Sequence, residues 1–132
     1  MKATLHTDGG ARGNPGPAGI GAVLVIDGEK KFYKKYIGKT TNNQAEYQAL
    51  VLGLEKAKEA GAQEVECFLD SELVVKQLNR EYKVKDKELA VQFVRVWNLA
   101  QQFKLVKFTH IFRESNKEAD KMVNEAIDEA GH

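Results

Sequence analysis

Cysteine is nearly absent from this sequence. Cys67 is the only one in 132 residues, which excludes an internal disulfide and any cysteine-rich zinc site. It lies in an apolar, strand-like run, where a thiol is a buried and inert side chain. Proline is as scarce. Pro15 and Pro17 are the only two, and both fall within Gly13-Asn14-Pro15-Gly16-Pro17, which reads as a shaped loop. No apolar run is long enough to cross a bilayer, and the first residues carry no signal-peptide pattern. The expectation is therefore a cytoplasmic protein with no membrane partner. An excess of charge of either sign is also missing. The formal net charge of +1 argues against a nucleic-acid binder that works by bulk charge alone, and leaves room for a local basic surface.

What is present is the material of one ordinary folded domain spanning residues 1–132. The chain is 42% hydrophobic and 30% charged, long enough to bury a core and too short for two. Ala3 to Asp8 reads as a strand that stops at Asp8-Gly9-Gly10. Ile20 to Ile26 is apolar and β-branched, and Asp27-Gly28 is a hairpin turn. The return strand, Lys31 to Ile37, is studded with Lys30, Lys31, Lys34 and Lys35, which suits a solvated edge protected from further pairing. A helix follows from about Asn43 to Gly61, then a strand from Val65 to Leu69, then a short helix with Val74 and Leu78 inward. Tyr82 to Glu88 is a lysine-rich connector. Leu89, Phe93, Val96, Trp97, Ala100 and Phe103 trace a helical core stripe. Leu105 to Phe112 is the last strand. Ser115 to Glu118 fits a capping box, and the final helix packs through Ala119, Met122, Val123, Ala126 and Ile127. The order β, β, β, α, β, α, α, β, α predicts an α/β fold, a five-stranded mixed sheet flanked by helices.

Four acids stand where these elements meet. Glu46 heads the helical stripe that continues through Leu50, Leu54 and Ala57, so a carboxylate begins a face that should be buried. Asp8 and Asp70 end strands, where open α/β sheets bind their ligands. Asp120 borders the buried stripe of the last helix. Each has a bland reading. Asn43 and Glu46 make a capping box, Asp8 an Asx turn, Asp70 a helix cap, and Asp120 suits a helix dipole. Four like charges at one sheet mouth would repel. Divalent cations remove that cost, and an all-oxygen donor set with no cysteine and few histidines points to magnesium or manganese. A pair of such ions about 3.5–4 Å apart is suited to phosphoryl transfer to water.

The motifs Thr7-Asp8-Gly9-Gly10, Gly13-Asn14-Pro15-Gly16-Pro17, Thr40-Thr41-Asn42-Asn43-Gln44-Ala45-Glu46, Leu69-Asp70-Ser71 and Asn116-Lys117-Glu118-Ala119-Asp120 together resemble type 1 ribonuclease H over nearly the whole chain. The resemblance implies the ribonuclease H-like fold. It also implies a metal-dependent endonuclease that cuts the RNA strand of RNA/DNA hybrids, leaving 5′-phosphate and 3′-hydroxyl ends. By the same resemblance Asp8, Glu46, Asp70 and Asp120 hold two Mg2+ ions, with Mn2+ as substitute. Asn14 and Asn43 reach the hybrid's minor groove, and Thr41 holds a DNA-strand phosphate. The working form is expected to be a monomer. Asparagine offers a donor and an acceptor to base edges and 2′-hydroxyls, the group that tells RNA from DNA.

The sequence departs from the commonest family pattern twice. The basic handle that many members carry is reduced to about Asn79–Glu88, with Lys83, Lys85 and Lys87. The family's histidine before the last helix is also missing from Phe112-Arg113-Glu114-Ser115. The handle-less subgroup often has arginine there, which makes Arg113 the candidate catalytic side chain. His110, sharing a strand face with Val106, Phe108 and Phe112, reads as a core histidine. Two rival readings are another nuclease on this fold, acting on ends or DNA junctions, and a module that binds hybrid without cutting. The set Asn14, Thr41 and Asn43 speaks against the first, and the four intact acids against the second.

Overall fold

The structure is a computed structural model that describes residues 1–132. Strands β1 (Lys2–Ala11), β2 (Gly16–Ile26) and β3 (Glu29–Thr40) are followed by helix α1 (Asn42–Glu59) and strand β4 (Glu64–Leu69). Helices α2 (Glu72–Leu78) and α3 (Lys87–Ala100), strand β5 (Leu105–His110) and helix α4 (Lys117–Glu129) complete the chain. The sheet order is β3-β2-β1-β4-β5. The first three strands form an antiparallel meander, and β4 and β5 add in parallel to β1. This is the mixed sheet expected from the element order.

The main core lies between the sheet and helices α1 to α3. Leu5, Leu24, Tyr47, Leu50, Leu54, Cys67, Leu69, Val74 and Val96 are all fully buried there. Each large aliphatic side chain so buried contributes about 1.5–3 kcal/mol before chain entropy is subtracted. Tyr47 brings a hydroxyl into this core and donates it to Gln77 Oε1 at 2.7 Å, so neither buried polar group is left bare. Helix α4 packs on β2. A Cβ on Gly21 would lie 2.6 Å from the Met122 Cβ, and one on Gly19 would lie 2.8 Å from the Val123 carbonyl oxygen. Both glycines therefore serve close helix–strand approach.

The glycine-rich N-terminal region is more regular than its composition suggests. β1 runs past Asp8 through Ala11, and β2 begins at Gly16, with Gly9 opposite Ile20 and Gly10 opposite Gly19. The loop shrinks to residues 12–15. These glycines give helices access to the strands rather than ending them.

β3 is the solvated edge strand expected, with Lys30, Lys31, Lys34 and Lys35 exposed. Two of these lysines reach across to the last helix. Lys30 pairs with Glu118 at 2.9 Å, and Lys34 pairs with Glu125 at 3.1 Å and also with Glu129, which ties α4 to β3. Such exposed pairs contribute about 0–1 kcal/mol each, but they occupy the lysines. β5 ends at His110 rather than Phe112, and His110 is exposed, meeting Phe112 edge-on at 5.9 Å. Val106 and Phe108 pack against the core, and the edge strand outruns that cover by His110. Finally, Ser115 sits in a 3-10 turn, and α4 begins at Lys117, its N-cap Asn116 making no side-chain cap bond.

Candidate active site

β1 and β4 run parallel, and their pairing ends with Thr7 beside Leu69, so Asp8 and Asp70 emerge together at the same edge. Helix α1 crosses that edge with its N-terminal turns. Its cap is Thr41, whose Oγ1 accepts the Gln44 N–H at 3.2 Å, so the capping box of Asn43 and Glu46 does not form. Glu46 is thereby free to turn inward. It is 6% exposed, and its Oε1 accepts the Gly9 N–H at 2.6 Å. Ser71 caps α2 through the Val74 N–H at 3.3 Å, which leaves Asp70 uncommitted to capping. Asp120 comes from the first turn of α4 on the other side.

One oxygen each from Asp8, Glu46 and Asp70 lie within 4.8 Å of one another. With Asp120 they line an open cleft of about 520 Å3. The electrostatic cost is visible. Burial first, then the charges of Asp70 and Asp120, push the Asp8 carboxyl from an ordinary 3.8 up to about 7, against the opposing hydrogen bond with Glu46. Glu46 is also raised, by burial first and then by Asp8, while the Gly9 N–H opposes the shift. Its Oε2 is buried without a partner. An orphaned carboxylate oxygen beside the carboxylates of Asp8 and Asp70, with Asp120 in the same cleft, fits a divalent cation of the magnesium type.

The other candidate residues divide by place. Asn43 lines the cleft beside the acids. Asn14 and Thr41 lie outside the cleft lining and secure the local backbone. Asn14 Oδ1 accepts the Asn42 N–H at 3.0 Å, and Asn42 Oδ1 accepts the Ala11 N–H at 2.8 Å, which clamps the β1–β2 loop to the start of α1. Arg113 lines the cleft, is exposed, and places Nη2 3.6 Å from Asp120 Oδ1. Arg12 also lines the cleft, bonded to Asp128 at 2.7 Å. Neither Arg12 nor Asn42 was singled out from the sequence, since a single polar residue beside a glycine-rich loop carries no periodic signal. Residues 79–86 join α2 to α3, and the Arg80 guanidinium lies 4.3 Å over the Trp97 ring, so Trp97 is a half-buried, capped side chain.

Sheet order and acid cluster define an α/β domain of the ribonuclease H-like fold. A family model described as Reverse transcriptase-like matches residues 6–126. A ribonuclease H of Pseudomonas fluorescens is 36% identical over 140 residues, covering 95% of this chain and 90% of that one. A bifunctional protein of Mycobacterium tuberculosis is 41% identical over 133 residues, covering 98% of this chain, and the chain spans only 36% of that relative's length. Among solved structures, RNase H1 from Halobacterium salinarum superimposes with a TM-score of 0.94 at 41% identity, covering 98% and 99% of the two chains. LC11-RNase H1 in complex with an RNA/DNA hybrid gives 0.93 at 44% identity, again covering 98% and 99%. The chain belongs to the type 1 ribonuclease H family, in its branch without the basic handle.

Proposed function

We propose that residues 1–132 form one domain that acts, as a monomer in the cytoplasm, as an endoribonuclease on RNA/DNA hybrids. It hydrolyses the RNA strand and leaves 5′-phosphate and 3′-hydroxyl ends. The observation that carries this reading is the convergence of Asp8, Glu46 and Asp70 within 4.8 Å, with a buried Glu46 oxygen that no protein group satisfies. Asp8, Glu46, Asp70 and Asp120 would hold two Mg2+ ions, or Mn2+ in their place, which supply charge neutralisation and an acidified water when bound.

This chain's own residues do the rest. Arg113, exposed at the cleft rim, offers a permanently charged fork to the phosphate as negative charge develops. It acts by charge alone and relays no proton. Asn43 faces the cleft with a donor and an acceptor for base edges and 2′-hydroxyls. Asn14 Oδ1 accepts the Asn42 N–H, which ties the loop to α1 and leaves the amide nitrogen to donate in the minor groove. Thr41 stands at the N-terminus of α1, where backbone N–H groups and the helix dipole favour a DNA-strand phosphate.

The test is incubation of the protein with end-labelled hybrid, double-stranded RNA and single-stranded RNA, with Mg2+ or Mn2+. The expected result is internal cleavage of the RNA strand of the hybrid alone. Release of nucleotides only from an end, or binding of hybrid with no cut at any metal concentration, would replace the proposal with an exonuclease or a binding module.

A further inference from the structure

Asn116 occupies the N-cap of α4, a position where asparagine normally turns back to satisfy its own helix. Here it makes no such bond. Its side chain points inward and is 1% exposed. Nδ2 donates to the Thr7 carbonyl at 2.9 Å and to Asp70 Oδ2 at 3.2 Å. Both partners are acceptors, so the amide has only one tolerable orientation. Its own Oδ1 is buried without a partner, as is the neighbouring Thr7 hydroxyl oxygen. The arrangement forgoes a helix cap and leaves one acceptor unsatisfied in order to grip these two oxygens.

One of those oxygens belongs to the site and the other adjoins it. Thr7 directly precedes Asp8 on β1. Asp70 is gripped directly, through one oxygen only, which leaves the other for the cleft. The Asn116 carbonyl oxygen accepts the Asp120 N–H at 3.1 Å. One buried side chain and its backbone therefore touch Asp70, the residue before Asp8, and Asp120. We infer that Asn116 is a positioning residue: it fixes the Asp70 carboxylate and the spacing of β1 against α4, so that the four acids converge before a cation arrives. This rests on the metal-dependent reading proposed above. Partners that orient metal ligands in this way typically change metal affinity or activity by about 10–100-fold when removed.

Calorimetric titration of the metal-free, full-length protein with Mg2+ tests the inference without substrate. It is paired with thermal unfolding and with turnover on labelled hybrid across Mg2+ concentrations. Asn116→Ala is expected to weaken Mg2+ binding by about 10–100-fold and to lower turnover, while KM for hybrid stays at the wild-type value. If Asn116→Ala does not fold, Asn116→Ser keeps a polar group in the same space and carries the same expectation. A variant that melts earlier but binds Mg2+ and turns over like wild type shows that Asn116 only holds the fold together, and overturns the inference. A wild-type protein that neither binds Mg2+ nor cuts hybrid overturns the underlying metal-dependent reading, which this inference requires.

Discussion

Glu46 Oε1 lies 2.6 Å from the backbone nitrogen of Gly9, and the α1 backbone at Ala45 occupies the space where a side chain on residue 9 would begin. One contact explains two sequence features at once. Residue 9 must be glycine for α1 to reach β1, and the acid heading the buried face of α1 has a fixed aim.

Gly9→Ala is therefore expected to damage both fold and site. The added methyl meets backbone rather than a flexible side-chain end, and overpacking of this kind costs about 1–3 kcal/mol or more. Thermal unfolding should show the loss, and Mg2+-dependent cleavage should fall further than stability alone explains, because Glu46 moves with α1. A variant that keeps wild-type melting and turnover would mean the contact is loose.

The acid cluster makes metal-free stability depend on pH in a defined direction. The folded-state pKa of Asp8 is raised from 3.8 to about 7. Between those values the folded protein binds more protons than the unfolded chain, so stability falls as pH rises. Below about pH 4 the residue is protonated in both states and contributes nothing to the slope. Asp8→Asn removes the Asp8 share of this dependence. The melting temperature of Asp8→Asn minus that of wild type should grow as pH is raised from 4 to 7 without metal, and shrink when Mg2+ is added. A difference that stays flat with pH would mean Asp8 is not under strain.

Arg113 and His110 separate cleanly by position. Arg113 lines the cleft and lies 3.6 Å from Asp120, whereas His110 is exposed at the end of β5. Arg113→Ala is expected to lower turnover by about tenfold to a hundredfold, which is about 1.4–3 kcal/mol of transition-state stabilisation. Arg113→Lys should recover part of it, since a point charge keeps attraction and loses the fork. His110→Ala should leave turnover unchanged and, being exposed, move stability little. An impaired His110→Ala beside a normal Arg113→Ala would reverse the assignment.

Much of this was legible in the residues themselves. The strand end before Asp70, the Asp27-Gly28 hairpin and the helical stripes follow from local pattern, and so does the sheet's mixed character, whereas β1 runs on past Asp8 to Ala11. What was not legible depends on contacts across the fold. Gly9, Gly19 and Gly21 look like breakers in one dimension, and their purpose appears only where α1 and α4 meet the strands. Thr41 and Asn43 both read as helix caps, and the structure seats Thr41 there, which leaves Glu46 free to turn inward. Asn116 is a routine helix-start residue until Thr7 and Asp70 are seen beside it. The exposure of His110 follows from how far β5 runs past its cover, which no alternation of residues reports. The pairing of Lys30 and Lys34 was not legible either, because their partners, Glu118, Glu125 and Glu129, come from the far end of the chain.

The central claim is that the four carboxylates serve metal-dependent hydrolysis of a hybrid's RNA strand. Asp70→Asn tests it most directly, because it keeps the side chain's shape and removes only ligand charge. The measurement is single-turnover cleavage of labelled RNA/DNA hybrid at saturating Mg2+, with hybrid binding followed in parallel. The account predicts near-complete loss of cleavage with hybrid binding retained. Cleavage at the wild-type rate would contradict it, and would leave Asp70 as no more than a polar residue at the end of β4.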